Sequence, residues 1–182
     1  MDNILLTISY DGTDFCGWQR QKDFNEQFFE KKVSNNSSSS FRTVQGEIEK
    51  ALKKIFKQEI TLYGSGRTDS GVHAFGQAAN FYSPLSSMNE ENYIRALNSL
   101  LPKDIRILNA KKVSEDFNAR KSATSRIYRY FISYGSSPSA DKSRFSWYIP
   151  TWNPSLKRLN AYCKCLKGEI DCASFASSGD QS

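Results

Sequence analysis

Apolar and polar residues alternate from Ile4 to Tyr10, with Ile4, Leu6, Ile8 and Tyr10 on one side. That is the period of a half-buried strand, and Asp11-Gly12 ends it as a turn. Periodicity then disappears over residues 22–42, where NNSSSS (Asn35 to Ser40) is low in complexity; this stretch is expected to be a mobile surface insertion. Thr43 stands where a helix cap belongs, and Val44, Ile48, Ala51, Leu52 and Ile55 follow at helical spacing. Ile60 to Tyr63 reads as a short strand, and Ala74 to Tyr82 as another.

Ser87-Met88-Asn89-Glu90 has the pattern of a capping box, followed by a stripe of Tyr93, Ile94, Leu97, Leu100 and Leu101. Pro102 stops this second helix, and Ile105 to Val113 reads as a strand. The predicted order is β-α-β-β-α-β, a ferredoxin-like split unit of the α+β class occupying residues 1–113. A second round then begins, with strands at Arg126 to Tyr134 and Arg144 to Ile149. A helix follows from Asn153-Pro154 to Lys167, closed by Gly168. On this reading residues 114–182 form an incomplete second β-α unit without its closing strands.

Composition narrows the classes. A 38% hydrophobic content over 182 residues supports a real core and argues against general disorder. The only early apolar run is Ile4-Leu5-Leu6, too short for a signal peptide, and no later stretch could span a bilayer. Four cysteines in that context read as free thiols of a cytoplasmic protein. Cys163, Cys165 and Cys172 lack the paired spacing of a zinc site, so no metal is expected. The net charge of +6 is unevenly spread: between residues 103 and 129 eight Lys or Arg face three acids. They run into RIYRYFISY (Arg126 to Tyr134), where cations for phosphates sit beside rings for bases. A solvated basic face is the plain alternative.

The candidate chemistry lies in GSGRTDSGVH, Gly64 to His73. A dinucleotide fingerprint would need a glycine where Asp69 stands, and a P-loop would need Lys where Val72 stands. Catalysis by a Ser-His or Cys-His pair would fall on His73, the single histidine, with no evident orienting partner. Two readings stay open: a turn in which Gly and Asp serve the backbone, or a carboxylate, Asp69, with Arg67 two residues away to keep it ionised. Trp18, beside Gly17, could stack on RNA or pack beneath this loop.

Five segments in order, ISYDGTDFCGWQRQ (Ile8 to Gln21), TVQGEIEKAL (Thr43 to Leu52), GSGRTDSGVHAFGQ (Gly64 to Gln77), ALNSLLPKDI (Ala96 to Ile105) and DFNARKSATSRIYRYFI (Asp116 to Ile132), resemble the tRNA pseudouridine synthase A family, which modifies the anticodon arm of tRNA. The resemblance implies a pseudouridine synthase fold and isomerisation of uridines 38 to 40 without a cofactor. It implies that Asp69 is the catalytic residue, that Arg67 helps extrude the target nucleotide, and that Tyr128 stacks on the extruded uracil. Arg20, Arg120 and Arg126 fall in matching motifs as candidate RNA contacts. The implied partner is the anticodon stem-loop of tRNA, not DNA or a membrane, and the full-length family member is a homodimer. Members of that family continue past the position of Ser182 and carry a second active-site arginine there. A shortened chain is therefore expected, with an inactive RNA-binding remnant as the alternative. A generic RNA-recognition sheet is disfavoured because no RNP-type aromatic cluster falls on the predicted strands.

Overall fold

The computed structural model describes residues 1–20 and 42–175. They form two compact units, one reaching Arg126 and one starting at Ile127. The expected insertion at 22–42 lies outside the described residues except for Arg42. That residue is firmly held: its guanidinium makes a two-pronged contact with the Asp104 carboxylate at 3.1 and 3.2 Å and lies over the Phe15 ring.

In the first unit the elements follow the expected order: β1 (Asp2–Tyr10), α1 (Val44–Phe56), β2 (Tyr63–Gly64), β3 (Ala74–Ser83), α2 (Glu90–Leu100) and β4 (Ile105–Val113). The strands make one antiparallel sheet in the order β2-β3-β1-β4. Alternation along β1 buries Ile4, Leu6, Ile8 and Tyr10 against Ile48 and Leu52 of α1 and Leu97 of α2. Each such side chain contributes about 1.5–3 kcal/mol of apolar burial. Thr43 caps α1 as expected, its hydroxyl accepting the Gly46 N–H at 3.2 Å.

Two details of this unit depart from the pattern. Ile60 and Leu62 are buried, but β2 is confined to Tyr63 and Gly64. The Leu62 N–H finds its acceptor in the Glu49 side chain (3.0 Å) instead of a ladder partner. The cap of α2 is Asn89, whose side chain accepts the Asn92 N–H, and not Ser87. Glu90, expected to reach back to a cap, instead accepts the Lys112 N–H of β4.

The pleat of β1 turns Asn3 away from the Ile4 face, and there the chain beyond β4 crosses the sheet. Asn3 and Asn80 are fully buried. Asn80 donates to Asn3 Oδ1 (2.9 Å) and accepts the Ala119 N–H (2.8 Å); Asn3 donates to the carbonyls of Ser114 and Phe117. Residues 114–126 therefore pack with the first unit, which extends past Val113, where the sequence pattern ends its last strand.

The second unit is spare. Its strands are β5 (Ile132–Tyr134) and β6 (Trp147–Ile149), paired in parallel. They are much shorter than the runs expected from Arg126 and from Arg144. Residues 127–131 take no strand assignment, and a short α3 (Ala140–Ser143) occupies the connection that a parallel pair requires. The last helix, α4, spans Leu156–Cys165 with Ser155 as its cap, starting later than Asn153-Pro154 suggested. No described residue of this unit is buried. Among the described residues, no helix is long and apolar enough to cross a membrane.

Candidate active site

The glycine-rich loop leaves β2 and returns into β3, and it is docked on the loop that follows β1. The Trp18 N–H donates to the Thr68 carbonyl (3.0 Å), and the Gly71 N–H to the Phe15 carbonyl (3.3 Å). The Ser70 hydroxyl also donates to Phe15 O (3.1 Å). Two glycines permit the approach. A Cβ on Gly12 would stand 2.0 Å from Val72 O, and one on Gly17, whose φ is +93°, would stand 2.5 Å from Thr68 O. Trp18 settles under the loop, 2% exposed, with its indole where a Gly64 side chain would have to go. Of the two readings of Trp18, packing is the one this unit displays.

A partly buried polar chain fixes the residues flanking Arg67. The Tyr10 hydroxyl donates to Gln77 Oε1 (2.7 Å) and lies 2.8 Å from Thr68 Oγ1, while Gln77 Nε2 donates to the Gly66 carbonyl (2.8 Å). Gly66 and Thr68 are thus both tied to one phenol-amide pair. Asp69 opens a turn closed by the Val72 N–H on its carbonyl (3.2 Å), with Gly71 at φ +80° in the third position, where an L side chain is strained. His73 is engaged at the far end. Its Nδ1 accepts the Gly12 N–H at 3.2 Å and lies 3.1 Å from Asp11 Oδ1. Accepting from Gly12 requires that nitrogen to be unprotonated, whereas an ion pair with Asp11 requires the proton.

Asp69 and Arg67 are both exposed at the top of this pinned loop. They form no ion pair with each other, so the expected guanidinium partner of the carboxylate is not realised here. The backbone here is a turn, as the first reading has it, and the Asp69 carboxylate that it presents has no partner among the described residues. A carboxylate held this way is equipped for nucleophilic attack or proton abstraction.

Arg126 joins the same loop, its Nη2 donating to the Ser65 carbonyl at 3.0 Å. Arg20 is mostly solvent-exposed, 3.9 Å from the Glu49 carboxylate. Arg120 is exposed on the turn after Asn118. Two cations of the basic strip read from the sequence are engaged within the first unit. Lys112 pairs with Asp2 at 2.7 Å, and Arg106 folds onto the carbonyls of Pro102 and Ile105. Tyr128 belongs to the second unit and is 63% exposed there, not a core tyrosine. Tyr10, Gln77 and Gly12 were missed as site residues; the only sequence signal for them was their lying inside two of the resembling segments.

A family model described as tRNA pseudouridine synthase matches residues 6–120. The chain belongs to the tRNA pseudouridine synthase family. It is similar to the protein named tRNA pseudouridine synthase A of Treponema denticola, 50% identical over 99% of this chain and 62% of that relative. It is similar as well to the same-named protein of Treponema pallidum, 46% identical over 98% of the chain and 59% of the relative. A third, from Brachyspira hyodysenteriae, is 41% identical over the whole chain and 66% of its own length. The chain thus spans roughly three fifths of the relatives it matches. The matched region includes Tyr10, Gly12, Gly17, Trp18, the glycine-rich loop and Gln77.

Proposed function

We propose that this protein is a tRNA pseudouridine synthase that isomerises uridines 38 to 40 of the anticodon stem-loop through one catalytic aspartate, Asp69. One observation carries the reading: the aspartate of the family's central motif stands free on a loop whose backbone is pinned on both sides. The glycosidic N1–C1′ bond breaks, the uracil turns while bound, and C5 bonds to C1′. The proton lost from C5 is balanced by one gained at N1, so the product is an isomer and no co-substrate is consumed. Asp69 serves by attacking C1′ or by taking the C2′ proton.

The target nucleotide leaves the helical stack to reach the carboxylate. Arg67, exposed two residues away, helps to extrude the nucleotide, and Tyr128, exposed in the second unit, stacks on the extruded uracil. Arg20 and Arg120 contact the RNA. In this reading the first unit is the ferredoxin-like half of a pseudouridine synthase fold and the second unit is the start of its other half. The full-length protein works in the cytoplasm as a homodimer on tRNA.

A second reading, RNA binding without turnover, is favoured by the absence of any buried residue among those described beyond Arg126, since a catalytic half needs a core of its own. The test is incubation of the purified chain with unmodified tRNA, followed by carbodiimide mapping. Pseudouridine at 38 to 40 is the expected result. Binding without conversion would favour the second reading, and failure to bind tRNA at all would sink both.

A further inference from the structure

We propose that Arg126 is a positioning residue that holds the loop bearing Asp69 in place, instead of a phosphate contact. The proposal rests on the function proposed above and assigns one residue of that site a different task. The segment from Ser114 to Arg126 is a strap across the open face of the sheet. Its first part cannot drift, because Asn3 and Asn80 are fully buried and spend their amides on Ser114, Phe117 and Ala119. Its far end arrives at the glycine loop, where the Arg126 guanidinium donates to the Ser65 carbonyl at 3.0 Å.

Ser65 is where the loop departs from β2, and its own N–H is bonded to the Ala78 carbonyl of β3 at 2.8 Å. Arg126 thus satisfies the other side of that residue with a charge-assisted hydrogen bond, stronger than a neutral one. The guanidinium also lies close over Gly66: a Cβ there would come within 3.3 Å of Nε and 3.9 Å of Cδ. Gly66 is the only residue between Ser65 and Arg67, and its carbonyl is held by Gln77. The Asp69 side chain has no partner among the described residues, so its aim depends on backbone placement alone. A cation that clamps the root of the loop therefore acts on the aspartate without touching it. In the free protein this exposed guanidinium already spends a donor on the chain.

The test compares Arg126→Gln, Gly66→Ala and Arg120→Gln. Arg126 is exposed, so its loss leaves the core intact. Hydrogen exchange on the 182-residue chain is expected to show the amides of residues 66–72 opening about tenfold faster or more in Arg126→Gln. Gly66→Ala, which crowds the guanidinium, should reproduce the change, while Arg120→Gln should not. Binding of unmodified tRNA by Arg126→Gln should stay within about twofold of wild type, with the same dependence on salt. Single-turnover pseudouridine formation at saturating protein should fall by about tenfold or more. Unchanged exchange in Arg126→Gln would overturn the proposal. So would weakened tRNA binding with a salt slope shallower by about 0.7–0.9, the signature of one lost phosphate contact. If wild type binds tRNA without making pseudouridine, the proposed function fails, and the exchange arm still decides the role of Arg126.

Discussion

Replacing Gly17 with alanine should separate the two loops of the site, and the structure sets the size of the effect. Gly17 has φ +93°, and a Cβ there would meet Thr68 O at 2.5 Å. The backbone conformation alone costs an L residue about 1–2 kcal/mol. To reach an ordinary carbon–oxygen contact of about 3.3–3.6 Å the loops would have to part by roughly 1 Å. That movement breaks the bond from the Trp18 N–H to Thr68 O, now 3.0 Å, at a cost of about 1 kcal/mol. The expected destabilisation is therefore about 2–3 kcal/mol in all. Gly71→Ala is the internal control. Its φ is +80°, but nothing lies within 4 Å of the added Cβ, so only the conformational cost of about 1–2 kcal/mol applies. Urea titration followed by Trp18 fluorescence, with Trp147 and Trp152 replaced by Phe, reads the first unit alone. If Gly17→Ala destabilises no more than Gly71→Ala, the close docking of the loops is wrong.

Three further outcomes follow from other parts of the molecule. Glu49→Ala strips the Leu62 N–H of its acceptor in a buried position and should cost about 1–3 kcal/mol in the same titration; a change near zero would mean that the carboxylate does not satisfy that amide. Burial raises the Tyr93 phenol above its usual value, partly offset by its hydrogen bond to Ser83. The folded state then keeps this proton after the unfolded chain has released it, so stability should fall as pH rises above about 10, an added slope that Tyr93→Phe should remove. Tyr128→Leu should lower pseudouridine formation, since base–aromatic stacking is worth about 1–3 kcal/mol, with little change in melting temperature; early melting with normal turnover per folded molecule would make it a packing residue.

The first unit was legible because its elements carry their own period. The β1 alternation and the α1 spacing each put apolar residues on one face, and the structure buries those faces against each other. What stayed hidden depended on side chains acting across the chain. Glu49 takes the Leu62 N–H and so ends the expected strand at Ile60 before it starts. Asn3 and Asn80 look like ordinary polar residues of the strand pattern, yet their buried amides carry the strap. Gly12 and Gly17 look like turn glycines, and only the opposing backbone explains why no side chain fits. In the second unit, RIYRYFISY has the composition of a strand, but only Ile132 to Tyr134 gain a ladder partner. Propensity alone does not make a strand where no neighbour offers its edge. Of the candidate site, Asp69 and Arg67 were named through the motif, and the framework of Tyr10 and Gln77 that holds the residues flanking Arg67 was not.

The most direct measurement is single-turnover pseudouridine formation on unmodified tRNA by wild type and by Asp69→Asn, with tRNA affinity determined for both. The substitution preserves shape and removes the charge and basicity on which either form of the chemistry depends. Wild type is expected to convert uridine in the anticodon arm. Asp69→Asn should yield no pseudouridine above the protein-free control while its tRNA affinity changes by less than about tenfold, or 1.4 kcal/mol. Conversion by Asp69→Asn at a rate comparable to wild type would contradict the assignment of Asp69 as the catalytic group.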